Sequence, residues 1–359
     1  MPSTVIVTGG CGFIGSHVVG LLRRELPDWR VVVLDKLTYA ANAATFAELL
    51  DAGAELICAD VVDAPSVMDL FEAERPDYVV HMAAESHVDR SILDSAPFLQ
   101  TNVLGTQVLL EAGRRFGVER FLYVSTDEVY GDTGYDGAPC SELSPLRASS
   151  PYAASKAAAD LLVQAYHRTY GLPVLIARPC NHYGPRQFPE KLIPFMLRNL
   201  LEDKPLPVYG NGLQERDWLF VEDGARALLD ILLRGQIGCS YNIAAHQDRT
   251  NIEVITRLCQ LFSRHEHRDG FDINQHLSFV ADRPGHDVRY ALDDRYLREE
   301  TGWRPIVGFE EGLARTVAWY LAHRDWLDGT PDQATAAYYD AVYARQWEGV
   351  GASTTTWRT

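Results

Sequence analysis

The sequence predicts an α/β fold: a doubly wound parallel sheet, with a smaller C-terminal α/β substrate domain after it. Three observations predict it. Short apolar runs alternate with helical patterns through the first half of the chain, a glycine-rich turn joins the first strand to the first helix, and the fifth strand ends in a cluster of polar side chains. At 359 residues there is room for one large or two medium domains. A composition of 47% hydrophobic and 23% charged residues is ordinary globular usage.

The first strand is Val5-Ile6-Val7, followed by the turn Thr8-Gly9-Gly10-Cys11-Gly12-Phe13-Ile14-Gly15 and an apolar periodic run from Ser16 to Leu26. Strand, glycine turn and helix together form the Rossmann-like context in which backbone can approach a pyrophosphate at a helix N-terminus. The glycines Gly9, Gly12 and Gly15 are spaced three apart rather than in the commoner GxGxxG pattern. A second strand, Arg30 to Leu34, ends in Asp35, whose carboxylate suits adenosine ribose hydroxyls and would repel a ribose phosphate, favouring NAD. A third strand, Glu55 to Ala59, ends at Asp60-Val61, placed to meet the adenine, and a helix follows from Ala64 to Glu74. The fourth strand, Tyr78 to Met82, ends in Ala83-Ala84, small enough for a cofactor backbone to lie close, and Thr101 to Phe116 reads as helical.

The fifth strand, Phe121 to Val124, leads into Ser125-Thr126-Asp127-Glu128-Val129-Tyr130-Gly131. A hydroxyl and two adjacent carboxylates at the carboxyl end of a parallel strand offer a donor, a general acid and a general base to one substrate. The competing reading is a helix N-cap, a position that Ser, Thr and Asp all favour. After a loop rich in Gly, Pro and Ser, Pro151-Tyr152-Ala153-Ala154-Ser155-Lys156 opens a helix with Tyr152 and Lys156 on one face. A free phenol titrates near pH 10, so acting as a base at neutrality needs about 4 kcal/mol of preference for the phenolate. An ammonium one turn away and a nicotinamide cation overhead both act in that direction.

Charge and cysteines exclude whole classes of function. A formal net charge of -16 argues against non-specific binding to nucleic acid or to an anionic membrane, so an anionic ligand would depend on local arginines. Cys11, Cys58, Cys140, Cys180, Cys239 and Cys259 show no CxxC pair and no ligand-like spacing with histidine, the pattern of reduced thiols without a metal site. The amino terminus enters a strand without a signal region, and no apolar run approaches a membrane span, so a soluble cytoplasmic protein is expected.

From Asn181 on, proline-rich loops and shorter elements take over, including a helix from Lys191 to Leu201, a strand and helix within Arg216 to Leu232, a strand at Tyr241 to Ala244 and an amphipathic helix from Asn251 to Phe262. The expected division is residues 1–180 for the dinucleotide domain, with 214–245 returning to it, 181–330 for the interleaved substrate domain, and 331–359 as a tail. Thr330-Pro331-Asp332, a short helix and a Ser/Thr-rich end make up that tail, part of it expected to be mobile. A substrate cleft should lie between the domains, with Arg216 and Arg283 suited to bidentate phosphate contact.

With the glycine turn and Tyr152-x-x-x-Lys156 in one chain, the sequence resembles the extended short-chain dehydrogenase/reductase family. Within it, Thr126-Asp127-Glu128 resembles the dTDP-glucose 4,6-dehydratases, as do Glu85 to Ser91, Asn181 to Leu192, Pro207 to Gly210, Arg216 to Trp218 and Asp282 to Asp287, a match over about residues 4 to 322. The resemblance implies a dehydratase acting on a nucleoside-diphosphate glucose, most simply dTDP-glucose, with tightly bound NAD recycled each turnover. It implies that Gly9, Gly12, Phe13, Ile14, Gly15, Asp35, Lys36, Thr38, Asp60, Val61, Ala83, Ala84, Glu85, Thr101, Tyr152, Lys156 and His182 hold the cofactor. His182 stands where the family commonly has a second asparagine. Ser86, Asp89, Thr126, Asn181, Lys191, Leu192, Pro207, Val208, Tyr209, Arg216, Asn251, Asp282, Arg283 and His286 would bind the nucleotide-sugar.

By the same resemblance, Tyr152 is the base at the 4-hydroxyl, Thr126 and Lys156 orient the groups, Glu128 is the base at C5 and Asp127 the acid toward C6. A homodimer through the helices Thr101 to Phe116 and Tyr152 to Tyr170 is implied as well. Rival readings are a UDP-glucose 4,6-dehydratase, a 4-epimerase, a glucuronate decarboxylase, or a dinucleotide-sensing regulator without activity. Epimerases and decarboxylases need the Tyr/Lys pair but no paired acid and base, so the double carboxylate disfavours them; a regulator has little reason to keep all four groups.

Overall fold

Strands that are apolar on both faces need cover on both faces, and here helices lie on each side of one parallel sheet. The structure, a computed structural model, describes residues 2–328 apart from 42 and 269. The first half runs β1 (Thr4–Thr8), α1 (Phe13–Glu25), β2 (Arg30–Asp35), α2 (Ala43–Asp51), β3 (Glu55–Cys58), α3 (Ala64–Glu74) and β4 (Tyr78–His81). Next come the short helices α4 (Val88–Leu93) and α5 (Ala96–Phe98), a π-helical turn (Leu99–Gly105), α6 (Thr106–Phe116), β5 (Arg120–Val124), a 3-10 turn (Asp127–Tyr130), α7 (Pro151–Tyr170) and β6 (Val174–Pro179). The seven-stranded sheet is completed by β10 (Ser240–Ile243), in the order β10-β6-β5-β4-β1-β2-β3, and every pairing in it is parallel.

Alternation along each strand builds two cores. Val5, Val7, Val31 and Val33 face one side, packing with residues of α1 and of α9 (Val221–Arg234), while Ile6, Val32 and Val79 face the other, against α3, α6 and α7. Local chemistry sets the helix ends: Ser150 accepts from Ala153 N ahead of Pro151 to start α7, and Gly171 at φ 71° ends it. The first helix begins at Phe13, three residues before the apolar pattern, because the glycine turn itself winds into it.

The smaller layer holds β7 (Asn181–Tyr183), α8 (Leu192–Leu201), β8 (Leu206–Tyr209), β9 (Glu215–Phe220), β11 (Asp248–Thr250), α10 (Asn251–His265), β12 (Leu277–Val280) and α12 (Phe309–Ala322), with α11 (Arg295–Thr301) lying against α9 and β10. Its strands form a three-stranded sheet, β11-β9-β7, and a parallel pair, β12-β8, around a third apolar core. The expected return of 214–245 is therefore split: β9 joins the small sheet, while α9 and β10 go to the large one. The sequence reading also passed over β6, where the fully buried Arg178 interrupts the apolar run. The tail from Thr330 lies outside the described residues, and among those described no helix is long and apolar enough to cross a membrane.

A buried carboxylate joins the two layers. Asp217 on β9 accepts from the backbone N–H of Ala245 at 2.7 Å, His246 at 3.0 Å and Gln247 at 2.7 Å, in the loop leaving β10. Asp217→Ala would strand those donors, and a loss of roughly 3 kcal/mol in urea unfolding is expected, with Asp217→Asn, which keeps one acceptor, losing less. Equal unfolding midpoints for wild type and the alanine variant would contradict this.

Candidate active site

The strand order reverses between β1 and β4, and at their carboxyl ends lies the first of two clefts. Its floor is the glycine turn. A Cβ on Gly9, at φ 71°, would sit 2.7 Å from Ala83 N, and one on Gly15 only 2.1 Å from Gly9 O, so glycine is required for the turn to close. Thr8 Oγ1 accepts from Met82 N at 3.2 Å and Ala83 N at 3.1 Å, tying the ends of β1 and β4 together. At the end of β2, Asp35 is fixed by Cys11 N at 3.0 Å and Leu37 N at 2.8 Å. Lys36 Nζ lies 3.5 Å from Asp60, 3.8 Å from Glu85 and 3.4 Å from Thr101 Oγ1. A close backbone turn opening a helix, with an oriented aspartate one strand away, fits a dinucleotide.

Every residue named above for the cofactor lines this cleft except His182. Its Nδ1 donates to Cys180 O at 3.0 Å, and its ring lies against α9, where a Cβ on Gly224 would come within 1.9 Å of Nε2. Burial pulls its pKa down to about 4, so the imidazole is neutral. The side chain packs between β7 and α9, and its Nε2 is buried without a hydrogen-bond partner. Gln187, Phe188 and Glu190 line the cleft instead, from the same 181–192 segment.

Beyond β5, Thr126 caps the 3-10 turn: its Oγ1 accepts from Glu128 N at 3.3 Å and donates to Asp127 Oδ1 at 3.2 Å. The capping reading holds for Thr126, and the same hydroxyl also reaches the Asp127 carboxyl. Asp127 is 3% exposed; burial first, then the charge of Glu128, push its pKa up to about 8. Glu128 is also raised by burial, but Arg283, Arg216 and Lys191 oppose that, and its side chain faces the second cleft. The neighbouring carboxyls are thereby inequivalent: burial raises both, and three cations offset part of that rise at Glu128.

Tyr152 and Lys156 are both buried on α7 and line the first cleft. Lys156 Nζ donates to Val124 O at 2.7 Å and sits 4.4 Å above the Tyr123 ring; burial pulls its pKa down to about 7, against the charge of Asp160. Burial, Glu128 and Asp127 push the Tyr152 phenol above its ordinary range, with a hydrogen bond to Thr126 opposing. Lys156 uses one of its three donors on the Val124 carbonyl.

The second cleft opens from the first through Ser86, Glu190 and Lys191, and Lys191 Nζ donates to Ser86 O at 2.8 Å. All residues named for the nucleotide-sugar line it except Thr126 and Asp282. Asp282 instead holds His286, whose Nδ1 donates to Oδ1 at 2.6 Å. Asp89 accepts from Tyr209 OH at 3.0 Å and lies 3.6 Å from Arg283 Nη1, so it links the layers. Arg216 donates to the carbonyls of Asp287 and Glu215 and stacks 4.4 Å over Tyr290. His87, Phe195, Met196, Trp218, Ile255 and Tyr290 also line the cleft and were missed. Phe195 and Met196 follow Leu192 at helical spacing and could have been found; nothing local marks Tyr290. Among the described residues no group of three or more His, Cys, Asp or Glu side chains could hold a metal ion.

A doubly wound sheet with this glycine turn, a Tyr-x-x-x-Lys helix and a second cleft under a smaller layer defines a short-chain dehydrogenase/reductase of the extended kind. The GDP-mannose 4,6 dehydratase family model matches residues 6–316. A dTDP-glucose 4,6-dehydratase of Neisseria meningitidis is 47% identical, the match covering 90% of this chain and 94% of that protein. The crystal structure of DesIV, a dTDP-glucose 4,6-dehydratase from Streptomyces venezuelae with NAD bound, is similar at a TM-score of 0.84 and 46% identity, covering 90% of this chain and 98% of that one. A UDP-glucose 4-epimerase from Thermotoga maritima is similar at 0.80 but only 29% identical, covering 89% of this chain and 99% of that one. The chain belongs to the dTDP-glucose 4,6-dehydratase family.

The pKa of Asp127 makes a prediction about stability. Unfolded, it titrates near 4, whereas folded it keeps its proton to about 8, so the folded state loses stability as pH rises between those values. Asp127→Asn should therefore raise the thermal midpoint relative to wild type, by a margin that grows from about pH 5 to about pH 8. A margin that is flat or shrinks with pH would contradict the assignment.

Proposed function

We propose that this chain is an NAD-dependent hydro-lyase that converts dTDP-glucose to dTDP-4-keto-6-deoxyglucose and water. The observation that carries this reading is the split between Asp127, favouring its proton, and Glu128, facing the substrate cleft under three cations. Oxidation at C4 alone, or epimerisation, needs no such pair. Bound in the first cleft, NAD supplies a hydride acceptor at C4, a hydride donor to C6 and a cationic ring that favours the Tyr152 phenolate.

The chain's own side chains do the rest. Tyr152 takes the proton of the 4-hydroxyl while Lys156 and Thr126 orient the phenol and the C4 oxygen. The resulting 4-ketone acidifies C5. Glu128 removes the C5 proton, the electron pair forms the C5–C6 double bond, and the C6–O bond breaks as Asp127 donates its proton to the departing water. Glu128 then returns its proton to C5 as C6 becomes a methyl group. Tyr152 has gained one proton and Asp127 has lost one, and Thr126, hydrogen-bonded to both, offers the return path. Arg283 and Arg216 suit the diphosphate, with Tyr209, Asn251 and His286 around the nucleotide.

Incubating the protein with dTDP-glucose, and separately with UDP-glucose, and following product mass tests the reading. Loss of water from the thymidine sugar is expected, and no change of mass with a changed sugar configuration would favour an epimerase. The double variant Asp127→Asn, Glu128→Gln should still oxidise C4 yet stop losing water; undiminished water loss would remove both residues from the mechanism.

A homodimer and a cytoplasmic site complete the proposal. Leu99, Leu104, Leu161 and Tyr170 are 53%, 50%, 59% and 56% exposed, on the π-helical turn and α7, which pack side by side, an apolar face suited to a second copy. All six cysteines are free, in keeping with a reducing compartment. Sedimentation at assay concentration should give a dimer, and Leu161→Arg a monomer; a monomeric wild type would refute it.

A further inference from the structure

Next to the acid-base pair lies a chain of buried polar side chains that the proposed chemistry does not use. Tyr130 closes the 3-10 turn and is 4% exposed; its hydroxyl donates to Asn242 Oδ1 at 2.8 Å and accepts from Arg178 Nη1 at 2.7 Å. Arg178, in β6, sends Nε to Asp160 Oδ2 at 2.7 Å and Nη1 also to Glu142 O at 3.2 Å. Asp160 is fully buried on α7, one turn beyond Lys156. Asn242, on β10, donates through Nδ2 to Cys140 O at 2.9 Å and to Asp293 O at 3.1 Å. One guanidinium thus ties together the turn carrying Asp127 and Glu128, the helix carrying Tyr152 and Lys156, and two strands of the main sheet.

Such a network is a poor way to gain stability. Desolvating a buried ion pair costs several kcal/mol, and well-packed apolar residues of similar volume often do as well. Its distinctive property is geometric, since a planar guanidinium accepts partners only along fixed directions. Side chains three apart in a 3-10 helix eclipse, so Tyr130 stands in line with Asp127. The turn ends abruptly at Gly131, at φ 74°, where a Cβ would lie 2.1 Å from Arg147 O. Movement of Tyr130 therefore becomes movement of Asp127.

We propose that Tyr130, clamped between Arg178 and Asn242, is a positioning residue that fixes the Asp127 carboxyl against the substrate in register with Glu128 and Tyr152. The proposal rests on the dehydratase reading above. Oxidation at C4 depends on α7, whereas loss of water depends on the 3-10 turn, so releasing the clamp should separate the two steps. The charge of Asp160, which favours the ammonium form of Lys156, links the network to the oxidising side as well, and for that reason Asp160 is not the residue to change.

Tyr130→Phe removes one oxygen and keeps the ring. In single-turnover mixing with dTDP-glucose, reduced dinucleotide absorbance reports C4 oxidation, and product mass in quenched samples reports loss of water. Oxidation within about two-fold of wild type and water loss slowed about ten- to hundred-fold are expected, the scale of a small misplacement of a reacting group. Arg178→Lys keeps a charge beside Asp160 but lacks the second donor, and should change the ratio of the two rates in the same direction. If that variant does not fold, the tyrosine variant alone decides. Both steps slowing equally, or an unchanged ratio whatever the thermal midpoint, would overturn the proposal. Wild-type protein that loses no water from dTDP-glucose would instead remove the dehydratase reading beneath it.

Discussion

Two adjacent carboxyl groups cannot both be charged where little water reaches them, and the site is arranged around that constraint. Asp127 and Glu128 are consecutive at the end of β5, and the short 3-10 turn sends one into the protein and the other toward the cleft. Had the chain continued as an extended strand, they would also diverge, but to opposite faces of the sheet and out of reach of a single sugar. The turn is capped by Thr126 and stopped at Gly131, so the divergence is written into backbone geometry before any ligand binds. Burial then favours the proton on the inner group, and the nearby arginines offset part of the same effect on the outer one.

Much of this was legible because the informative residues are neighbours in sequence. A glycine turn, an aspartate at the next strand's end, a tyrosine and lysine one helical turn apart, and a Thr-Asp-Glu triplet need only strand and helix periodicity to be placed. What could not be read depends on contacts between distant segments. Arg178 looks like the end of a strand's apolar run, and only Asp160 and Tyr130, 18 and 48 residues away, make it an interior residue. The direction of His182 depends on Gly224 of a helix that the local sequence does not mention. Likewise β9 has an apolar half that would suit either sheet, and its pairing with β7 and β11 decides its place.

The polar groups inside this fold are concentrated at the carboxyl ends of the strands and behind them, while the middles of β1, β2 and β4 are apolar on both faces. That division lets the sheet be stable by packing alone where no chemistry occurs. At the working edge, stability is given up: a neutral aspartic acid and a lysine pulled toward neutrality by burial are in states that free side chains would not choose, and the tyrosine is pushed further from its phenolate. Lys156 on α7 is held by the Val124 carbonyl of β5 and Tyr152 by Thr126, whereas Asp127 is held by its own neighbour Thr126 within the turn.

The smaller layer is more than a clamp for the substrate. Glu128 is eased toward its charged form by Arg283, Arg216 and Lys191, all of which belong to segments beyond residue 181, with Asp287 acting against them, whereas Asp127 has Arg216 and the Thr126 hydroxyl acting in that sense and Glu128 and Asp217 against it. Moving the layers apart would remove cations from Glu128 and admit water to Asp127, bringing the two carboxyls closer to equivalence. The bonds that hold the layers together, Asp89 to Tyr209 and Arg283, and Lys191 to the Ser86 carbonyl, therefore also hold the two carboxyls apart in proton affinity. A diphosphate arriving at Arg283 would compete with both Asp89 and Glu128 for the same charge, leaving Arg216 and Lys191 as the cations that act on Glu128.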